Sequence, residues 1–505
     1  MRIRCGWRGQ TRFMLFVMSR EREGGTRRLR GRSVAAAAVA ALLTACATAP
    51  PRALSPQIVP KLFVGQSARS QPIWPRAGWW RQFGSPELSS LVAQAQADNR
   101  DLAVAAAKLG EARAQVTIQR ATLFPTIDGV AQAARSGVGR AALSSNGQQG
   151  STTRNSFGVS ADASYELDLW GLSRDNLRAA EEALKSSRFA QRALALTTTA
   201  AVADTYFEIL ALRERIAIAN EDIVAIDGIL KIVKLKVHAG TASHLDLAQE
   251  QAQIEAVQGE LPLLQEQALE AKVALAVLIG RPPEGFAVET QSAGAIRLPE
   301  VSPGLPSQLL LRRPDVAQAE ANLAAAHANL QAARAAFLPQ FALSGGAGFS
   351  SAATDALLHG PSFLWEAGAQ LVQTIFDGGK LIGQKDLAYA TQEELIASYQ
   401  SAVLNAYGDV ESALGQVRND ALEVQHLRRE VDAAREAFQI SQLQYRQGVA
   451  DLLNVLQAQQ TLFGARDALA QARLARLRAT VHLYIALGGG WQEPARERTQ
   501  FPGGQ

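Results

Sequence analysis

The sequence predicts a mainly α-helical protein that also carries membrane-spanning β-strands, built from two copies of one structural unit. Three observations predict it: two long stretches fall into register under a shift of 208 residues, apolar side chains recur every seventh position through both, and each is preceded by segments where apolar and small polar residues alternate. Composition agrees. Of the 505 residues 47% are hydrophobic but only 6% aromatic, a balance that suits long helices packed through small side chains better than an enzyme core.

The repeat sets the frame. Val202, Ile209, Ile216, Ile223, Leu230 and Val237 align with Val410, Val417, Val424, Val431, Phe438 and Tyr445. Further on, Gly240 meets Gly448, Gln251 meets Gln459, Leu269 meets Leu477 and Gly280 meets Gly488. A likeness that keeps glycines and heptad phase together marks a tandem duplication. The seven-residue recurrence is a coiled-coil seam, and Leu212, Ala219, Ile226 and Val233 complete its spacing in the first copy. No proline interrupts Asp175 to Val237 or Leu381 to Val449. Each copy therefore predicts a rod of about 60 residues and about 90 Å, which must pack beside others as a tube wall or stalk. Glycine supplies the left-handed conformation that ends a helix, so Gly240 and Gly448 mark tips from which a second helix returns to Gly280 or Gly488. Pro262 is expected to kink or break the first returning helix; the second copy has Ala470 there.

The alternating segment Phe157–Leu169 predicts a strand, paired with the one that follows Phe124-Pro125 (Ile127, Gly129, Ala131, Ala133). In the second copy Phe341, Leu343, Gly345, Ala347 and Phe349 form one strand and Trp365, Ala367, Ala369 and Leu371 the other, with turn-rich loops at Ser136–Ser156 and Ser350–Ser362. Soluble hairpins under helices would alternate as well. Export signals and a polar face of small residues favour the membrane, where a strand needs about 9–11 residues. Four strands cannot close a barrel, and an open edge in lipid leaves backbone groups unpaired. Several copies must then share one barrel, two supplying eight strands and three supplying twelve.

The N-terminus carries the export signals. Arg27, Arg28, Arg30 and Arg32 precede an apolar run from Val34 to Leu43 and then Thr44-Ala45-Cys46, the layout of a secretory signal. The run is shorter than the ~20 residues of a spanning helix. Ending in Leu-Thr-Ala-Cys, it resembles a bacterial lipoprotein signal, in which Cys46 is lipidated; Ala47 is not the Asp associated with inner-membrane retention. Met18 would give a more ordinary start, leaving Cys5 outside the translated chain. With no cysteine after Cys46, a disulfide framework is excluded for the body. Much of the net charge of +4 lies in this segment, so charge gives no argument for nucleic acid. The organisation read is a signal at 1–45, a lipidated tether at 46–78, a first repeat at 79–285, a linker at 286–304, a second repeat at 305–490 and a tail at 491–505.

The segment Leu305-Pro306-Ser307-Gln308-Leu309-Leu310-Leu311-Arg312-Arg313-Pro314-Asp315-Val316 resembles the signature that opens the second half of TolC-like outer-membrane efflux proteins. Tyr165-Glu166-Leu167-Asp168-Leu169-Trp170-Gly171, Ile375-Phe376-Asp377-Gly378-Gly379 and Trp79-Trp80-Arg81-Gln82-Phe83-Gly84 with Asp98-Asn99 match it too, so the resemblance runs from about Trp79 to Gly490. With Cys46 in front, the chain resembles the lipoprotein branch associated with resistance-nodulation-division systems.

The resemblance implies a TolC-like fold: a homotrimer with a twelve-stranded β-barrel in the outer membrane, a long coiled-coil α-barrel in the periplasm and an equatorial region to which the linker contributes. It implies a passive duct of a tripartite efflux system that passes drugs or other small molecules from a periplasmic adaptor and an inner-membrane pump of the resistance-nodulation-division type to the exterior. On this reading the tips Gly240, Thr241, Ala242, Ser243 and Gly448, Val449, Ala450, Asp451 dock the adaptor. Some members narrow the closed tip with acidic residues just past the second glycine. Here Asn454 and Gln457 are uncharged, so a cation-binding acidic ring is not carried over, and the candidate gate is Arg446, Asp451, Asn454 and Gln457. No cofactor is expected beyond the lipid on Cys46. The six histidines are scattered without metal-ligand company, Gly345, Gly346 and Gly348 form no phosphate loop, and no nucleophile-base pair stands out. The alternatives are a lipid-anchored stalk or adhesin and a type I secretion exit duct.

Overall fold

The first copy opens on a 3-10 turn at Trp79–Phe83, followed by α1 (Pro86–Asp98), α2 (Arg100–Ala121), β1 (Thr126–Val138), β2 (Thr152–Leu167), α3 (Leu172–His238) and α4 (His244–Leu278). The second runs through α5 (Pro306–Leu309), α6 (Pro314–Ala335), β3 (Gln340–Ser351), β4 (Phe363–Val372), α7 (Lys380–Gln447) and α8 (Leu452–Ala486). The computed structural model describes residues 63, 73–138, 152–289, 294, 296–299 and 306–491. The signal at 1–45, Cys46, most of the tether, residues 492–505 and parts of the linker and the first loop lie outside the described residues.

The rods exceed the expected length. The helices α3 and α7 hold 67 and 68 residues, about 100 Å each at 1.5 Å per residue. Each starts directly after a left-handed glycine, Gly171 (φ 90°) or Gly379 (φ 93°). The heptad residues Val202, Ile209, Leu212, Ala219, Ile226, Leu230 and Val233 are buried, as are Val410, Val424, Val431 and Tyr445. Pro262 does not break α4, which continues through it. Both Pro262 and Gln258, whose carbonyl loses its partner, are exposed residues, so water can take the missing bond at the outer face.

The four strands form one antiparallel sheet in the order β1-β2-β3-β4, with β2·β3 joining the two copies and β1 and β4 at the edges. The β1·β2 ladder reaches the Val138–Thr152 pair, so strand replaces much of the expected loop at Ser136–Ser156. Backbone pairing carries the hairpin past the point where its side chains stop alternating. Side chains sort by face across the sheet. Ala131, Val159, Phe349 and Phe363 form one transverse row, and Asp128, Asp162, Gly346 and Glu366 form another, as period two requires.

The main core lies where the 3-10 turn at Trp79–Phe83 and α1 meet α3 and α8. Trp79 stacks on Tyr484 with ring centroids 4.9 Å apart, and Phe83 packs on Phe207 at 5.1 Å. Linker residues Phe286, Val288 and Ile296 cover this cluster, and Arg213 Nη2 donates to the Val288 carbonyl at 2.8 Å. Beyond the core, α3 and α8 are joined by a ladder of ion pairs: Asp204–His482 (3.2 Å), Glu208–Arg478 (2.9 Å), Glu214–Arg473 (2.7 Å), Arg215–Asp467 (2.5 Å) and Asp222–Arg466 (2.8 Å).

The duplication also reaches segments where the sequences no longer agree. Asn99 caps α2 and donates from Nδ2 to the Leu278 carbonyl at 2.9 Å. At the matching place before α6, Arg313 Nη1 donates to the Ala486 carbonyl at 3.4 Å, while Nη2 meets Asp315 at 2.6 Å and Asp409 at 2.9 Å. These carboxylates hold the buried guanidinium above its ordinary range against the opposing effect of burial. Arg313→Met is expected to lower stability by about 2 kcal/mol, since Asp315 loses its partner; a thermal midpoint equal to that of the unsubstituted chain would refute this.

Candidate docking and gating site at the helical tips

Each tip is built from backbone geometry first. At the end of α3, Gly240 takes φ 73°, and the Thr241 amide returns to the Lys236 carbonyl at 2.8 Å. At the end of α7, Gly448 takes φ 74°, and the Val449 amide returns to the Gln444 carbonyl at 2.9 Å. Both are glycine-terminated helix stops that satisfy the last carbonyls.

The two tips are not alike in their side chains. Ser243 forms a capping box for α4: Ser243 Oγ accepts from the Asp246 amide at 3.1 Å, and Asp246 Oδ2 accepts from the Ser243 amide at 2.9 Å. Thr241 Oγ1 also turns inward, donating to the Lys236 carbonyl at 3.1 Å. Both hydroxyls are thus engaged locally, as helix ends demand. Asp451 precedes α8 without a side-chain capping bond. Ser243→Ala is expected to cost about 1 kcal/mol and to speed amide exchange in the first turn of α4; unchanged exchange there would refute the assignment.

The structure brings both tips to one end and ties them together. Lys236 Nζ donates to the Tyr445 carbonyl at 2.6 Å and lies 4.1 Å from the centroid of the Tyr445 ring. Ile229, Val233, Tyr445, Leu452, Val455 and Leu456 form a small core beneath them. Gly240, Thr241, Ser243, Gly448, Val449 and Asp451 are exposed, while Ala242 and Ala450 are half-buried. Arg446, Asp451, Asn454 and Gln457 are exposed too. Among the described residues, neither Arg446 nor Asp451 is in an ion pair, so a single chain assembles no network from these four.

Sequence reasoning missed the interior of this end. Glu250 on α4 is fully buried, and neither carboxylate oxygen has a hydrogen-bond partner; burial pushes its pKa up to about 7. Gln459 on α8 is equally buried, and its amide is likewise unpartnered. A signal was present: Glu250 interrupts the apolar stripe Leu247, Ile254, Val257, Leu261 and Leu264 at a heptad position. Lys236 gave none, because a lysine beside a heptad valine reads as solvated surface.

Among the described residues no three His, Cys, Asp or Glu side chains come together as metal ligands, and no helix is long and apolar enough to cross a membrane. Comparison with known proteins adds to this geometry. The family model for outer membrane efflux proteins matches residues 91–281 and 305–489, one segment in each copy. The pyoverdine export outer membrane protein OpmQ of Pseudomonas aeruginosa is 40% identical over 420 residues, covering 82% of this chain and 87% of its own. The toluene efflux pump outer membrane protein TtgC of Pseudomonas putida is 33% identical over 425 residues, 84% of this chain and 87% of its own. The outer-membrane channel OprN superposes with a TM-score of 0.82 at 28% identity, over 89% of this chain and all of that one. A duplicated chain of rods and strands matched along its length in this way belongs to the outer membrane efflux protein family, and it is an outer-membrane efflux channel with a long periplasmic extension.

Proposed function

We propose that three copies of this chain form a passive exit duct anchored by lipid on Cys46, which receives small molecules from a periplasmic adaptor and an inner-membrane pump of the resistance-nodulation-division type. The observation that carries the reading is a four-stranded sheet with two open edges beside rods of about 100 Å. A sheet of that size satisfies its backbone in lipid only by joining others, and the rods give the shared pore its length. A lipid-anchored stalk would need the rods but leaves the sheet without purpose. Residues 286–304 contribute to the equatorial belt, a reading that the packing of Phe286, Val288 and Ile296 over the Trp79 core supports. Relatives named for cargoes as different as pyoverdine and toluene suggest that selection lies upstream of the duct. No bond is made or broken by the chain, and it is not an enzyme.

The exposed tip residues Gly240–Ser243 and Gly448–Asp451 dock the adaptor, with Val449 as the apolar contact. Val449→Asp is expected to abolish efflux of a fluorescent dye from cells while leaving a heat-dissociable trimer on gels; full efflux by the variant would remove the tips from docking. Deleting the gene should sensitise cells to exported compounds, and Cys46→Ser should lose incorporation of labelled fatty acid. Unaltered sensitivity in the deletion strain would end the duct reading.

A further inference from the structure

One cavity holds more positive charge than its surroundings neutralise. It lies between α3, α7, α8 and linker residues Gly294, Ile296 and Leu298, with a volume of about 230 Å³. Arg428 of α7 and Arg473 and Arg476 of α8 line it. Among the described residues on its wall, Glu214 of α3 is the one carboxylate, and it is already engaged. Arg473 Nη1 donates to Glu214 at 2.7 Å as a rung of the ladder between α3 and α8. Among the described residues, Arg428 and Arg476 have neither an ion pair nor a side-chain hydrogen bond. Asp420 on α7 feels the Arg476 charge, yet burial and Glu423 push its carboxyl up, and the two form no ion pair. Two guanidiniums are left without a counter-ion.

The repeat shows that the rods do not require these charges. Under the shift of 208, Arg428, Arg473 and Arg476 correspond to Asn220, Gln265 and Ala268, and Glu214 corresponds to Leu422. The first copy builds the same pair of helices with no charge at any of these places. A lone arginine on a helix face is ordinary solvated surface, but here three converge on one cavity from two helices. The rest of the wall is apolar. Val424 and Leu477 come from the helices and are 2% and 5% exposed, and Ile296 and Leu298 come from the linker. Guanidiniums beside an apolar wall are the division of labour found in sites for small organic anions.

We infer that this cavity binds a small soluble phosphate monoester, its phosphate held by Arg428 and Arg476 and its carbon part lying on Val424, Leu477, Ile296 and Leu298. Guanidinium forks match phosphate oxygens two at a time. A monoester carries about −1.5 to −2 charges near pH 7, which two uncompensated guanidiniums balance; a carboxylate supplies half as much. The volume falls just below the roughly 300 Å³ at which sites for drug-sized ligands begin, so the ester is a small one. A lipid headgroup is not its source. Along α7, Arg428 stands about 70 Å from Lys380 at about 1.5 Å per residue, beyond the reach of lipid beside the strands. Bound there, the ester fastens the linker to α7 and α8. The site stands apart from tips and strands and goes beyond the duct reading.

The test is titration calorimetry on the purified full-length protein in detergent. It is run in about 0.15 M salt, where a screening length of roughly 8 Å suppresses attraction to charge outside the cavity. The probes are phenyl phosphate, inorganic phosphate and benzoate. Phenyl phosphate should bind at one site per chain, about tenfold tighter than benzoate, which keeps the ring with less charge. It should also bind more tightly than inorganic phosphate, which keeps the charge and lacks the ring. Arg428→Gln with Arg476→Gln should weaken phenyl phosphate at least about tenfold while leaving the band on unheated gels unchanged. Arg429→Gln removes the same charge next door on α7, outside the cavity wall, and should change nothing. If the double variant does not accumulate, Arg428→Gln alone, at an exposed position, gives the same comparison. Absence of any heat from phenyl phosphate with the unsubstituted protein overturns the site without a variant. Equal weakening by Arg429→Gln overturns it too, by showing diffuse attraction. Inorganic phosphate binding as tightly overturns the ester assignment, and benzoate binding as tightly overturns the phosphate.

Discussion

Replacing Gly488 with alanine is expected to prevent the chain from reaching its folded state. Gly488 sits at φ 85°, where a Cβ would fall on the Arg312 carbonyl oxygen and lie 2.7 Å from its carbon. Arg312 has no freedom to retreat, since its amide is bonded to the Leu309 carbonyl at 2.9 Å and its guanidinium lies over the Trp74 ring. The left-handed conformation alone costs a non-glycine residue about 1–2 kcal/mol. Displacing the backbone that joins α8 to the start of α6 brings the total to more than about 4 kcal/mol. The variant should be degraded rather than inserted. Gly464→Ala is the contrast, because a Cβ on that helical glycine meets nothing within 4 Å and should gain about 0.5–1 kcal/mol. Normal yields of heat-stable Gly488→Ala protein in membranes would refute the argument.

The second large effect is a pH dependence centred on Glu250. Its carboxyl titrates at about 7 in the folded chain instead of 4.5 because burial penalises the charged form. The unfolded chain gives up that proton first, so what Glu250 contributes to stability is whole below pH 4.5 and is lost as pH rises towards 7. The loss amounts to about 3 kcal/mol. Glu250→Leu removes it: the variant should exceed the unsubstituted chain in thermal midpoint by more at pH 8 than at pH 4.5. Among the described residues no charged group offsets the burial; Tyr445, across on α7, is itself pushed up by burial and by the Asp246 and Glu250 charges. A difference between the two proteins that stays constant with pH would show that Glu250 finds a partner.

Much of this fold was legible in the sequence because glycine and heptad spacing act locally. Gly240 and Gly448 end their helices for a steric reason that needs no tertiary context, and the apolar seam announces itself by period. Pro262 misled because whether proline breaks a helix depends on which side faces water, which spacing alone does not give. The strand ends misled because a ladder can run beyond alternation, as it does to Val138 and Thr152. The repeat in α2 and α6 was hidden for a different cause: Asn99 and Arg313 differ in size and charge, yet both donate to equivalent carbonyls, of Leu278 and Ala486. Of the candidate site, the tip glycines were readable and the tie through Lys236 and Tyr445 was not, since it joins residues 209 positions apart.

The unpaired strand edges carry a genetic consequence. A barrel shared by three copies, as proposed above, offers no place where a faulty member can be bypassed, so one poisoned link spoils its two sound neighbours. In a cell making normal and edge-defective protein in equal amounts, intact circles should fall to roughly one in eight if three members close the ring. Edge mutations should therefore behave as dominant, whereas changes confined to a signal that never reaches the envelope should stay recessive.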